Sequence, residues 1–357
     1  MNENNMPRLI AGMIFSITIT LFFGLLCLAS SAALDLDSQF LQDKMWSGSD
    51  GAYSVDLGNG KAVWLFSDTF IGLISGGKRQ HNAMINNSIG IQDLKAGKMS
   101  FFWKQSKKAA SFFPGGKGYW LWLGDGVLYN NKLYCFAKRI SAIPGHEGEP
   151  FGFVWKKDEL IVVENPKDDP SVWRSRHLLL PFTTNNLHVG TACMLDGQML
   201  YVMGLNEKKK QSLLTRISLK HLEELQVNSF EFLQNDNLKN AHWSKSISAC
   251  TPLFDQSAAE ASICKIGNKY VCIFHSSGAG DRIVARTARN IIGPWSAEKL
   301  LYTVPENLCK RGMCYAAKGH PEQPCRDGSM IVTFLINPGK LEAHDKDPYA
   351  YFPRAVE

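Results

Sequence analysis

Seven ionisable side chains in this 357-residue sequence stand where strands are expected to begin or end: Asp50, Asp68, Asp125, His188, Glu260, His320 and Glu322. Carboxylates are poor strand residues, so each of them either makes a turn or does chemistry. Asp50 and Asp68 frame "GAYSVDLGNGKAVWLFS", where alternating residues, a "GNG" turn and the apolar run Val63 to Phe66 predict a hairpin. That hairpin already has its turn, so Asp50 reads as chemistry, while Asp68 stays open between a turn cap and a ligand contact. Glu260 opens an apolar strand, where a lone carboxylate is costly unless it faces water or a partner. Asp125 in "GDG", and His320 with Glu322 in "KGHPE", also have local turn readings.

Carboxylates gathered from distant parts of a chain suit cleavage of a glycosidic bond. One carboxyl group must hold a proton for the leaving oxygen while another is ionised to attack or to activate water. Crowding raises the proton affinity of the most buried member, which makes the acid. Aromatic faces can lie against sugar rings, and asparagine and histidine add directed hydrogen bonds. On this reading the catalytic candidates are Asp50, Asp125, Glu260 and Glu322. Asp50 would be the base or nucleophile, Glu260 or Glu322 the acid, and Asp125 a tuning group. Asp68, His81, Asn86, Trp120, Trp122, His188 and His320 would bind substrate, with Trp46, Tyr119 and Asn186 nearby. Neither a CxxC pair nor an HExxH motif appears, so no metal and no cofactor is expected.

What must position these groups is a repeat. The opening hairpin shares its grammar with "GDGVLYNNKLYCFAKRI" (124–140), "HVGTACMLDGQMLYVMGLN" (188–206), "EASICKIGNKYVCIFHSS" (260–277) and "HPEQPCRDGSMIVTFLIN" (320–337). Each has a polar head, a strand, a turn rich in Gly, Asn or Asp, and an apolar second strand. The heads recur about every 60 to 75 residues, room for four strands per unit. The expected fold is all-β, a five-bladed β-propeller of four-stranded antiparallel blades around a central funnel. The heads Asp50, Asp125, His188, Glu260 and His320/Glu322 would then ring the funnel. Trp64, Trp103, Trp155 and Trp295 read as packing residues, "SLKHLEELQ" (218–226) as a connecting helix, and the C-terminal "DKDPYAYFPR" (345–354) as packing on the first blade.

The totals limit the alternatives. Apolar residues make up 45% and charged residues 20%, a globular composition, and the net charge of +6 forms no basic stripe with aromatics, so nucleic acid is not an expected partner. Arg8, an apolar run from Leu9 to Ala29 and then "SSAALDLD" read as a secretory signal cleaved after Ala32 or Ala33, or as a membrane anchor through residues 9–29. Residues 1–33 are therefore set apart from one propeller domain at 34–357, secreted or held in the periplasm or at the cell surface. Loss of Cys27 leaves eight cysteines in an oxidising compartment, with Cys309/Cys314 and Cys264/Cys272 suspected as disulfides and buried free thiols as the alternative.

The motif "GSDGAYSVDLGNGKAVWLFSDTFIG" resembles the opening blade of the exported propellers called domain of unknown function 5005. Those are similar to a family numbered 4185, in which bacterial arabinan-cleaving enzymes are found. "RTARNIIGPWSAEKLLYTVPE" resembles the outer strands of their fourth blade and "YAAKGHPEQPCRDGSMIVTFLIN" their last blade, so the resemblance spans residues 40 to 340 or so. It implies five blades and a carbohydrate-related role. Furanosidase-like glycosidases place acidic residues at the heads of the first three blades. Asp50 and Asp125 match two of these, and the third head, "NNLHVGTAC", carries His188 instead. The expected function is an exported glycoside hydrolase acting on a furanose-containing polysaccharide. The alternative is a glycan-binding propeller without catalysis.

Overall fold

The computed structural model describes residues 31–105, 108–146, 149, 151–235, 241–325 and 329–357, with the backbone alone at 31–34, 81 and 82. The apolar run at 9–29 lies outside the described residues, and no helix within them is long and apolar enough to cross a membrane. The chain is all-β with short helices, among them Leu219–Glu223, capped by Ser218 where a connecting helix was expected.

Each of the five sheets opens on a hairpin; four are the expected ones, and in the fifth the first strand lies before the "HPE" head instead of after it. The hairpins are Tyr53–Asp56 with Lys61–Phe66, Trp120–Tyr129 with Lys132–Ala142, Leu187–Asp196 with Met199–Asn206, Ala261–Ile266 with Lys269–His275, and Met313–His320 with Ile331–Asn337. The turns follow from local chemistry: Asn130 and Asn131 both take positive φ, 45° and 58°, as a two-residue hairpin loop requires. The sheets carry four, four, six, four and three strands in chain order, so the uniform four-stranded expectation is corrected at the third and fifth. The third gains His242–Ser244 and Phe254–Asp255. In the fifth the last strand, Arg354–Val356, is blunted as an edge by the helix Ser31–Phe40, where the Ala355 N–H donates to Asp37 Oδ1 at 2.7 Å.

The five first strands neighbour one another in chain order, and Met313–His320 comes back beside Tyr53–Asp56. Two of them meet so closely that only glycine fits. A Cβ on Gly124 would lie 2.7 Å from the Gly190 carbonyl, and one on Gly190 (φ 92°) would lie 2.3 Å from Phe136 Cβ. Apolar layers fill the spaces between neighbouring sheets. The layer on the first sheet holds Trp64, Phe66, Phe101, Ile331 and Phe352. Trp46, expected near the mouth, belongs to that layer instead: it is 1% exposed and stacked on Phe101 at 4.1 Å.

A further three-stranded sheet, Trp46–Ser49, Thr69–Ser75 and Lys78–Ile85, branches from the first hairpin. Its buried Arg79 clamps the C-terminal segment. The guanidinium donates to the carbonyls of Ser47 (3.0 and 2.7 Å), His344 (2.7 Å) and Pro348 (2.6 Å), and lies 4.3 Å from the Phe70 ring centre. Three buried carbonyls would lose their donor in Arg79→Ala. We expect that variant to lose about 3 to 5 kcal/mol of stability in urea unfolding and to become protease-sensitive near residues 341–353. Unchanged unfolding would show that the clamp is dispensable.

Candidate active site at the convergence of the first strands

Asp50 and Asp68 sit where the chain passes from the branched sheet into the first sheet. Ser49 pairs with Thr69; beyond them the Asp50 N–H donates to the Asp68 carbonyl at 3.2 Å and the Ser67 N–H to the Asp50 carbonyl at 2.9 Å. The backbone thus sets the two aspartates side by side where the two sheets part. Asp68 Oδ1 accepts from Trp122 Nε1 at 2.7 Å and Asn86 Nδ2 at 3.2 Å. Asp50 Oδ2 accepts from the Tyr315 hydroxyl at 2.7 Å, while its Oδ1 is buried with no partner. Both strands reach this contact through a left-handed alanine, Ala52 at φ 57° and Ala316 at φ 60°. Burial, reinforced by the charge of Glu260, raises Asp50 to about 6 against the Tyr315 and Tyr351 hydroxyls and Lys138. Burial and the charge of Asp50 raise Asp68 to about 7, against its two N–H donors.

Glu260 has the opposite fate. Burial would raise it, but Lys318 and Lys138 together hold it below the ordinary glutamate range. Lys318 Nζ is 3.2 Å from Oε2 and Lys138 Nζ 3.7 Å from Oε1. Lys318, 1% exposed, also donates to the Ala316 carbonyl at 2.9 Å and lies 4.3 Å from the Tyr53 ring centre. Lys138 donates to the Ala259 carbonyl at 3.2 Å and lies 5.1 Å from the Trp155 ring centre. Both ammonium groups thus face an aromatic ring and a carboxylate instead of water, and burial lowers Lys318 against the pull of Glu260.

The second sheet contributes an aromatic wall. Trp122 packs edge to face on Phe153 at 4.5 Å and on Trp120 at 6.3 Å, and half-buried Trp120 keeps Nε1 without a partner. His188, fully buried at the third head, stacks on Trp155 at 3.6 Å. Its nitrogens lie 3.4 Å from Asp158 Oδ2 and 3.7 Å from Glu207 Oε2, too long for well-formed hydrogen bonds. Burial works against protonation of this ring, but the two acids together raise its proton affinity.

The structure gathers Asp50, Asp68, Asn86, Trp122 and Glu260 into one region, with Trp120 and His188 along its wall. Asp125 lies at the same convergence but is taken up by backbone donors, and the remaining candidates stand elsewhere. Asp125 lies inside its strand at a bulge, and its oxygens take the Gly126 N–H at 2.8 Å and the Cys193 N–H at 2.7 Å, which ties the second sheet to the third. Burial still raises it to about 7. The fifth strand begins at Met313, so His320 and Glu322 stand at its far end instead of its head. Asp50 meets Tyr315, and four residues later Ser54 meets His320 Nδ1 at 2.5 Å and Glu322 Oε1, so the two strands run alongside and carry the latter pair away from Asp50. Burial and the charge of Lys318 lower His320 to about 3, and its Nε2 pairs with Thr333 at 2.7 Å. The His81 side chain lies outside the described residues. Tyr119 faces Glu159, its hydroxyl donating at 3.2 Å.

Lys138, Lys318 and Tyr315 were missed from sequence. The signal was present for the lysines, since "CFAKRI" and "YAAKGH" set a cation inside an apolar strand, where an unpaired lysine is rarely buried. Among the described residues no group of three or more His, Cys, Asp or Glu side chains is placed to hold a metal ion.

Solved structures share this fold. A candidate hydrolase from Bacteroides ovatus ATCC 8483 is 17% identical, with 90% of this chain and 88% of that chain covered and a TM-score of 0.74. CoXyl43, a GH43 beta-xylosidase/alpha-arabinofuranosidase from a compost microbial metagenome, is 11% identical with a TM-score of 0.50, covering 88% of this chain and 92% of that chain; it was solved with xylotriose. At such identities the likeness is one of fold, and the class it defines is an all-β domain of the kind that carries these hydrolases. The chain belongs to the family described as Domain of unknown function (DUF5005), whose model matches residues 34–354. No curated protein matches the sequence.

Raised carboxyl groups leave a thermodynamic trace. Between about pH 4, the unfolded value, and about pH 7 the folded chain binds protons at Asp50 and Asp68 more tightly than the unfolded one. Their contribution is therefore full below that window and lost as pH rises through it. Asp68→Asn cannot ionise, so it should gain on the wild type between pH 5 and pH 8, by a free energy on the order of 1 to 3 kcal/mol in urea unfolding. Parallel curves would mean that Asp68 is ionised at ordinary cost.

Proposed function

We propose that this protein is an exported glycoside hydrolase, that its five sheets are the blades of a closed propeller, and that a furanose-containing polysaccharide binds at the mouth. The succession of first strands, with the fifth beside the first, supports the closed ring. The signal-like N-terminus supports export. The fold likeness to a xylosidase/arabinofuranosidase solved with xylotriose supports a glycan ligand.

One observation carries the reading: carboxyl groups of a single region are driven to opposite protonation states. Asp50 and Asp68 are pushed up, and Glu260 is held down by two lysines. That is the pairing glycoside cleavage requires. Trp122 and Asn86 both donate to Asp68 Oδ1, which leaves Oδ2 to carry the proton toward a leaving oxygen. Ionised Glu260 is the base or nucleophile. Asp50 raises the proton affinity of its neighbour Asp68, and Trp120, Trp122 and Phe153 offer apolar faces to the rings. This reverses the roles read from sequence, where Asp50 was the base and Glu260 an acid, because position along a strand does not reveal which carboxylate has the lysines.

The test is product release from furanose- and pyranose-containing polysaccharides. The wild type is expected to release sugar, with turnover falling above about pH 7 as Asp68 loses its proton. Asp68→Asn and Glu260→Gln should each lose on the order of 10² to 10⁴-fold. Binding without release would establish the glycan-binding alternative, which gains support from the lysine contacts of Glu260 and from His188 at the third head. Neither binding nor release would overturn the carbohydrate reading.

A further inference from the structure

The chain enters the fifth strand through a short helix, Glu306–Cys309, and the loop "KRGM". Across that loop the sulfurs of Cys309 and Cys314 stand 2.9 Å apart, closer than two sulfur atoms rest in van der Waals contact. Both ends are fixed. Arg311, inside the loop, makes two hydrogen bonds to the Asp347 carboxylate, at 2.6 and 2.5 Å. A Cβ on Gly312 would lie 2.3 Å from the Asn337 carbonyl, and the Cys314 carbonyl accepts the Gly280 N–H at 2.8 Å. Cys314 is buried and Cys309 half-buried, so a reagent can reach one sulfur while the other waits beneath it.

The other suspected pair has no such geometry. Cys264 pairs with Val271 and Cys272 with Ile263, which sends the two side chains to opposite faces of the sheet. Cys272 points to Met203, its sulfur 3.8 Å away.

We infer that Cys309 and Cys314 are joined by a disulfide in the mature protein, and that the cross-link holds the start of the fifth strand so that Tyr315 stays on Asp50. Cys314 directly precedes Tyr315, and Ala316 follows in its left-handed bend. A freely moving Cys314 would loosen the point from which the Tyr315 hydroxyl is aimed. The oxidant is a disulfide donor. The Cys309 thiolate attacks one donor sulfur and displaces a donor thiolate; Cys314 then attacks the Cys309 sulfur of the mixed disulfide and displaces the second. The two cysteine protons pass to the two donor thiolates, so the pair loses two electrons and the donor gains them. This inference draws on the export proposed above for its compartment and is independent of glycosidase activity.

The test uses the full chain treated with glutathione disulfide, then denatured, alkylated without reduction and mapped as peptides. The 309–314 segment is expected to be unalkylated and two hydrogens lighter, with Cys264 and Cys272 alkylated. Amide hydrogen exchange over residues 315–319 should slow on the order of tenfold on oxidation, and Cys309→Ser should keep the faster exchange with or without oxidant. Alkylation of both Cys309 and Cys314, or a stable glutathione adduct on Cys309, would overturn the cross-link. A cross-link with unchanged exchange over 315–319 would overturn its positioning role.

Discussion

An ionised carboxylate where several strands converge needs a cation or a set of N–H donors, because water is scarce there. The convergence holds Asp50, Asp68, Asp125 and Glu260 but offers two lysines, Lys138 and Lys318, and both turn to Glu260. The remaining three carboxyl groups must therefore favour their protonated forms or take backbone donors. Asp125 uses the Gly126 and Cys193 amides, and Asp50 and Asp68 share what hydroxyl, indole and amide groups can give. Which carboxyl group is pushed up and which is held down follows from this shortage of cations. Residue type alone would have made them equivalent.

The same shortage explains how much could be read from the sequence. Strand alternation and turn chemistry are local, so the first four hairpins and the heads Asp50 and Glu260 were legible. The lysines were visible as anomalies, but a partner 122 or 58 residues away (138 against 260, and 260 against 318) leaves no mark in one sequence. Asp68 was undecided because its proximity to Asp50 arises where the branched sheet departs, a feature no periodicity encodes. The fifth head failed for a different reason. "HPE" looks like an opening, yet the strand starts at Met313, since Lys318 and Gly319 interrupt the apolar pattern while the backbone continues paired. Cys264 and Cys272 were separated by a one-residue register difference, the error to which period-two reasoning is most exposed.

His188 shows how the third head differs. A carboxylate was absent there, and the structure supplies charge from behind: Asp158 from the second sheet and Glu207 from the third flank an imidazole laid flat on Trp155. Trp155 in turn donates its indole N–H to Asp158 at 2.6 Å, so ring and acid are held as one unit. The unit is buried on the side where Lys138 approaches Trp155.

Ala52 and Ala316 set a limit for anyone redesigning the surroundings of Asp50. Left-handed backbone costs a residue with a Cβ on the order of 1 to 2 kcal/mol, and both methyl groups are packed, at 0% and 3% exposure. Glycine would relax the bend but leave a hole and a looser chain; any larger side chain would meet both a disfavoured dihedral and filled space. Variation can therefore be introduced on the aromatic wall, whereas the aim of Asp50 and Tyr315 depends on two of the smallest side chains in the protein.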